Sequence, residues 1–213
     1  MRQSPAQWLT TILVERSEIK SATVIAPNLV EIGRTTLPDF TTGVISGGPV
    51  TLETVESFLL ASPRPSFVVN VSSEAVWTGQ AITTLHANSI AFGKVGDLQK
   101  AKYLEDPSSY VFQEYVYVER RLRQHRSVTG IDRLFDRVWR VQRNGKEPLT
   151  ITISNEYDLT ADEIRTAYDR YSPFDVLFHT NPLGRATREA EAAARELSIE
   201  IVSSRGISTR LGQ

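Results

Sequence analysis

Leu149-Thr150-Ile151-Thr152-Ile153-Ser154 begins the C-terminal segment whose pattern most clearly predicts the architecture. Its β-branched, apolar composition predicts a strand. Thr160, with Glu163 three residues later, is the capping-box signature of a helix start. A strand, a helix and a last strand are then predicted in alternation, at Asp175–His179, Thr187–Leu197 and Ile199–Ser203. Strands that alternate with helices of about ten residues are typical of parallel βαβ units.

The same alternation is present earlier in the chain. Ser66–Val71 is a nearly continuous apolar run, which is typical of a strand buried on both faces. A helix is expected from Ser73 or Glu74 to His86, followed by a short strand at Ile90–Phe92. We therefore predict an α/β fold with a Rossmann-like, mostly parallel sheet flanked by helices.

The length of 213 residues fits one domain, so a single α/β domain is expected over residues 1–213. Within it, residues 1–48 predict an N-terminal helix and a β-hairpin appendage that turns at Pro27-Asn28. Residues 108–146 fit the alternation poorly and predict an arginine-rich insertion or helix.

The composition excludes several classes of site. The chain has no cysteine and only three histidines, so disulfides, thiolate zinc sites and cysteine nucleophiles are excluded. No apolar run approaches the ~18 residues of a membrane span, and a cytoplasmic protein without a membrane partner is expected. The formal net charge of -1 identifies no partner for the chain as a whole.

Two loops after predicted strands are candidates for phosphate or nucleotide binding, because ligands of open parallel sheets lie at the carboxyl ends of the strands. Gly93, Lys94 and Gly96 form a Gly-x-x-Gly turn whose N–H groups can face a phosphate. Asn181, Gly184 and Arg185 follow a later strand, where Arg185 adds a positive charge. Ordinary turns and helix caps favour the same residue types, and that alternative stays open.

Glu156 and Asp158 follow the strand at 149–154 and are the candidate catalytic residues, as a general base or as metal ligands. Two carboxylates are too few to define a two-metal site, so the metal stays unknown. A divalent metal cofactor is expected only if the chain is a phosphoester hydrolase.

The charge distribution is the most informative feature of the sequence. Residues 115–146 contain nine basic and three acidic side chains, a surplus of six positive charges. Tyr115, Tyr117, Phe135 and Trp139 are interleaved with them, and basic charge with aromatics is typical of nucleic-acid grooves. The candidate nucleic-acid contacts are Arg120, Arg121, Arg123, Arg126, Arg133, Arg137 and Arg140.

The alternative for these arginines is pairing with acidic groups of the chain or of an acidic protein partner. Ile131, Phe135 and Trp139 are spaced at i, i+4, which predicts an amphipathic helix with a basic outer face under either interpretation.

Three functions are therefore carried forward. The first is a protein that binds the phosphate backbone of nucleic acid, DNA included, through the arginine-rich segment. The alternatives are a metal-dependent nuclease or nucleotide-processing hydrolase, and a non-catalytic subunit of a protein assembly. Whether the chain is an enzyme and how it oligomerises stay open.

Overall fold

The computed structural model describes residues 3–14 and 18–213. The chain forms two compact units, residues 1–112 and 113–213, and each contains its own five-stranded sheet. Both sheets are mixed, with parallel and antiparallel neighbours. The predicted α/β class is confirmed. The prediction of one mostly parallel, Rossmann-like sheet is wrong, because antiparallel strands make up about half of each sheet.

The first unit begins with a helix and three antiparallel strands. Its helices are α1 (Pro5–Val14), α2 (Leu52–Leu59), α3 (Gly79–Ala87) and α4 (Val95–Ala101), with a 3-10 turn at Pro107–Ser109. Its strands are β1 (Ile19–Ala26), β2 (Leu29–Arg34), β3 (Phe40–Ile45), β4 (Phe67–Asn70) and β5 (Ala91–Lys94), in the spatial order β1-β2-β3-β4-β5.

The predicted hairpin at Pro27-Asn28 is confirmed, since β1 and β2 pair antiparallel on either side of it. The hairpin belongs to the first sheet, because β3 pairs with β2 on one side and in parallel with β4 on the other. Apolar residues of α1 and of the strands form one core, with Leu9, Val30 and Phe67 fully buried.

The second unit consists of one helix, a β-meander and then βα units. Its helices are α5 (Gln113–Arg123), α6 (Ala161–Tyr171), α7 (Arg188–Glu196) and α8 (Ile207–Gly212). Its strands are β6 (Val128–Phe135), β7 (Val138–Arg143), β8 (Lys146–Ser154), β9 (Asp158–Leu159), β10 (Val176–His179), β11 (Arg185–Ala186) and β12 (Glu200–Ser203). The main sheet has the order β12-β10-β8-β7-β6, and β9 pairs with β11 alone.

The predicted amphipathic helix over Ile131, Phe135 and Trp139 is wrong, because this segment is the β6–β7 hairpin. A spacing of four residues is also a multiple of two, so Ile131 and Phe135 share one face of a strand as readily as one face of a helix. The chain reverses at Asp136-Arg137, and Trp139 then lies directly opposite Arg133.

Helix starts follow the capping signals of the sequence. Thr160 caps α6 in the capping box that the sequence predicts, and Thr51 caps α2 in a capping box with Thr54. Helix α3 begins at Gly79, later than predicted, because residues 76–78 are extended. Val50 donates to the carbonyl of Val76, and Thr78 donates to the carbonyl of Val50.

None of the helices among the described residues is long and apolar enough to cross a membrane.

Arg34, the last residue of β2, connects the first sheet with the segment that follows α4. It is 6% exposed, and its guanidinium donates to the carbonyls of Lys102 at 2.9 Å, Leu104 at 2.5 Å and Glu105 at 3.0 Å. Its Nε donates to the carbonyl of Pro38 at 2.6 Å. The first three of these carbonyls follow the last residue of α4, Ala101, so one side chain satisfies several backbone groups of the segment that leaves the helix.

We expect Arg34→Met to lower the free energy of unfolding of the first unit by on the order of 3 kcal/mol, because buried carbonyls lose their donors. Native-state hydrogen exchange of the β3 and β4 amides measures this value for that unit alone. The control is Arg64→Met, which removes an exposed arginine with one bond to the carbonyl of Leu59. A change no larger than that of the control would contradict the role of Arg34.

Candidate functional site

The Gly93–Gly96 turn in the first unit is a helix cap. Asp97 accepts a hydrogen bond from the Lys94 N–H at 3.0 Å, and the Tyr110 hydroxyl donates to its other oxygen at 2.7 Å. A Cβ on Gly93 would lie 2.6 Å from the Cβ of Asp97, which explains the glycine. The Lys94 ammonium donates to the carbonyl of Ser73 at 3.0 Å. The turn predicted to hold a phosphate therefore already faces a carboxylate.

Asn181, Gly184 and Arg185 lie in the second unit, after β10. The Asn181 side-chain oxygen accepts a hydrogen bond from the Leu183 N–H at 3.0 Å, within the same turn. A Cβ on Gly184 would lie 2.6 Å from the His179 ring, so this glycine allows a close approach of side chain and backbone. Arg185 donates to Asp158 at 2.8 Å across the β9–β11 pair.

The two candidate catalytic carboxylates, Glu156 and Asp158, are both exposed. The Glu156 carbonyl bonds the His179 Nε2 at 2.7 Å, and Asp158 pairs with Arg185. Within residues 3–14 and 18–213, no group of three or more histidine, aspartate or glutamate side chains is arranged to hold a metal ion. The catalytic roles of Glu156 and Asp158 stay predictions.

Two of the seven candidate arginines belong to the interior of the second unit. The Arg133 guanidinium lies over the Tyr115 ring at 4.2 Å and the Trp139 ring at 4.9 Å from their centroids. It donates to the carbonyl of Asp136 at 2.6 Å and lies 3.8 Å from Glu119. Burial lowers the pKa of Arg133, while the neighbouring Tyr115 and Glu119 oppose that shift. This arginine is part of the core packing.

Arg137 is held in the same way at the β6–β7 turn. Its guanidinium lies 3.4 Å from Glu114 and donates to the carbonyl of Ile153 at 3.3 Å. Glu114 accepts a further bond from the Thr180 hydroxyl at 2.6 Å. Burial alone would lower the pKa of Arg137, but attraction to Tyr115 and Glu114 raises it. The alternative of internal pairing therefore applies to Arg133 and Arg137.

The aromatic residues of the arginine-rich segment also lie inside the unit. Trp139 is fully buried and donates from its ring N–H to Glu119 at 3.1 Å. Tyr115 packs edge-on against Trp139, with 5.9 Å between ring centroids, and Phe135 packs against Tyr171 at 6.1 Å. Their positions are those of core side chains rather than of exposed stacking platforms.

Arg140 lies on the other face of the second sheet from α5. Its neighbours Trp139 and Val141 point into the core that includes Val118 and Leu122 of α5. Because side chains alternate along a strand, Arg140 points away from that core, and it is exposed opposite Asp132. The sheet therefore separates Arg140 from the arginines of α5.

Helix α5, which carries the candidate Arg121, is connected to basic segments that are distant in sequence. Arg143 donates to the carbonyl of Arg210 at 3.3 Å, Lys146 donates to the carbonyl of Gly212, and Arg121 donates to the carbonyl of Ser204 at 3.5 Å. These bonds bring α5, the β7–β8 turn and α8 together. We call the basic residues that these elements and their adjoining loops carry the basic edge; they are Arg120, Arg121, Arg123, Arg126, Arg143, Lys146, Arg205 and Arg210.

Positive charges are crowded on this edge. Burial lowers the pKa of Arg143, and the nearby Arg210 lowers it further. Arg210 is paired with Glu200 at 2.5 Å. Arg120, Arg123 and Arg126 are exposed, and the described part of the chain offers none of them a side-chain hydrogen bond or an ion pair within 4.0 Å.

The sequence analysis did not single out Arg205 and Arg210. No local pattern identifies them, because their position follows from the parallel pairing of β12 with β10, which carries α8 to the side of α5.

The buried tyrosines give a pH prediction. Burial raises the pKa of Tyr115 and of Tyr171, with a further contribution from Asp136, and burial with the bond to Asp97 raises that of Tyr110. A pKa above the unfolded value of about 10 stabilises the fold fully below pH 10 and loses that effect as the pH rises. We expect the free energy of unfolding to fall above about pH 10 by ~1.4 kcal/mol per pH unit for each of Tyr115 and Tyr171, and by less for the half-buried Tyr110, where water screens the interaction.

Phenolate absorbance measures the effect directly. We expect three of the seven tyrosines to resist ionisation in the native protein and to titrate in urea. Tyr115→Phe removes one resistant group, whereas Tyr157→Phe removes an exposed phenol and leaves the resistant set intact. Normal ionisation of all seven in the native protein would contradict the burial of these phenols.

Comparison of the chain with protein-family profiles, with curated proteins and with solved structures finds no match.

Proposed function

We propose that the second unit binds the phosphate backbone of nucleic acid through the basic edge. The observation that carries this proposal is the segregation of charge. Eight of the sixteen basic residues in 113–213 belong to the basic edge, which leaves eight basic residues among the rest of that unit's side chains. Of the unit's fifteen acidic side chains, Glu200 pairs with Arg210 and Glu147 directly follows Lys146 in sequence, and the other thirteen belong to the rest of the unit.

Pairing within the chain accounts for few of these charges. Glu200 pairs with Arg210, and the carbonyl of Glu147 accepts from Arg143 at 3.0 and 2.8 Å. Basic residues in the last turn of α5 also interact favourably with the helix dipole, which contributes only a fraction of a kcal/mol, about 0.3–1, for each charge. Like charges held close together repel, and a polyanion is the ligand that relieves that repulsion.

The buried aromatics define the mode of binding. With Tyr115, Phe135 and Trp139 in the interior, the basic edge has arginine and lysine contacts to offer but none of these rings for base stacking. Contacts to phosphate carry no sequence information, so binding is expected to be independent of sequence and strongly dependent on salt.

We expect the triple variant Arg120→Glu, Arg123→Glu, Arg126→Glu to weaken binding to a short DNA duplex by at least about tenfold at low salt. The slope of log K against log salt should fall by about 3, because each lost phosphate contact removes ~0.9. Fluorescence anisotropy over a salt series measures both quantities.

Arg140→Glu is the matched control, because it reverses one exposed charge on the opposite face of the sheet. It should change the affinity and the slope far less than one reversal on the basic edge. No binding of nucleic acid by the natural chain at low salt would overturn the proposal. Co-purification of an acidic protein that resists nuclease and depends on the same arginines would favour the assembly alternative.

A further inference from the structure

Arg121 differs from the other arginines of the basic edge because one nitrogen of its guanidinium is buried without an acceptor. Among the residues that the structure describes, none accepts a hydrogen bond from its Nε, although the side chain as a whole is half-buried. Its Nη2 donates to the carbonyl of Ser204 at the long distance of 3.5 Å. A buried N–H without an acceptor is costly, because the protein has not replaced the hydrogen bond to water that this group has lost.

Other withdrawn arginines of the described chain have their donors engaged. Arg34 donates to four carbonyls, Arg133 and Arg137 bond carbonyls and lie beside carboxylates, and Arg210 has Glu200. The buried Nε of Arg121, which has no acceptor, is therefore an exception among the arginines that the structure describes.

The loop beside Arg121 carries a second cation. Arg205 is exposed, with no ion pair among the residues that the structure describes. The Ser204 hydroxyl is already used, since it donates to the carbonyl of Thr180 at 3.2 Å.

We infer that Arg121, with Arg205, forms a discrete phosphate site at the carboxyl end of β12. The planar fork of the guanidinium matches two oxygens of one phosphate group, which the single ammonium of a lysine does not. This inference rests on the proposed function and deepens it. One phosphate of the nucleic acid is fixed at Arg121, while Arg120, Arg123 and Arg126 supply diffuse attraction.

Thermal unfolding in sodium phosphate and in sodium chloride of equal ionic strength tests the site without nucleic acid. Phosphate bound at Arg121 should raise the Tm of the natural chain by about 2–4 °C above chloride. Arg121→Met should lose this phosphate response, and in chloride its Tm should equal or exceed that of the natural chain, because an unpaired charge has been removed.

The matched control is Arg123→Met, which removes an exposed arginine from the same helix and should keep the phosphate response. Arg121→Lys keeps the charge but not the fork, and most of the response should disappear. A phosphate response that survives in Arg121→Met, or that is lost equally in Arg123→Met, overturns the site.

Oligonucleotides with a 5′-phosphate or a 5′-hydroxyl distinguish a terminal phosphate from an internal diester. A preference of at least about tenfold for the 5′-phosphate that Arg121→Met abolishes assigns the site to strand ends. Equal affinity of the two, with a loss in Arg121→Met, assigns it to the backbone. DNA binding without any phosphate response at Arg121 rejects the site and leaves the proposed function standing. A phosphate response without DNA binding rejects the proposed function alone.

Discussion

A guanidinium that leaves water needs acceptors in its place, and this requirement organises both units. Arg34 donates hydrogen bonds to backbone carbonyls in the segment that follows α4. Arg133 and Arg137 meet the requirement with carboxylates, carbonyls and aromatic faces around the β6–β7 turn. An arginine of this kind stabilises the fold but is no longer available to a ligand. The arginines that remain, on the outer face and last turn of α5 and beside α8, are the ones that we propose bind phosphate.

Local signals in the sequence predicted many elements of the fold. The capping threonines, the hairpin at Pro27-Asn28 and the strands of the C-terminal third depend on neighbours within a few residues, and these predictions are confirmed. The sheet topology was not predictable in this way. Strands β6 to β8 pair antiparallel through short turns, and a spacing of four residues does not distinguish a helix from a strand when the turn at Asp136-Arg137 carries no glycine or proline.

The candidate site shows a similar division. Counting charges located the arginine-rich segment, because composition needs no knowledge of contacts. It did not separate Arg133 and Arg137 from Arg120 and Arg123, since the carboxylates that engage the first pair lie 14 to 23 residues away. At Gly93 the local pattern predicted a phosphate, but the Asp97 carboxylate at the start of α4 lies in the place expected for it and accepts from the Lys94 N–H.

Helix α5 carries both kinds of residue, those that pair inside the unit and those that are exposed. Its inward residues Glu114 and Glu119 anchor the buried arginines, whereas Arg120 and Arg123 face solvent. In a genetic screen, lesions on the inner face would therefore behave as loss-of-abundance alleles that lower temperatures rescue. Lesions on the outer face would give a normal amount of protein that is defective in the proposed phosphate binding. One helix of eleven residues would thus supply two classes of mutant with different phenotypes, ordered by its own 3.6-residue period.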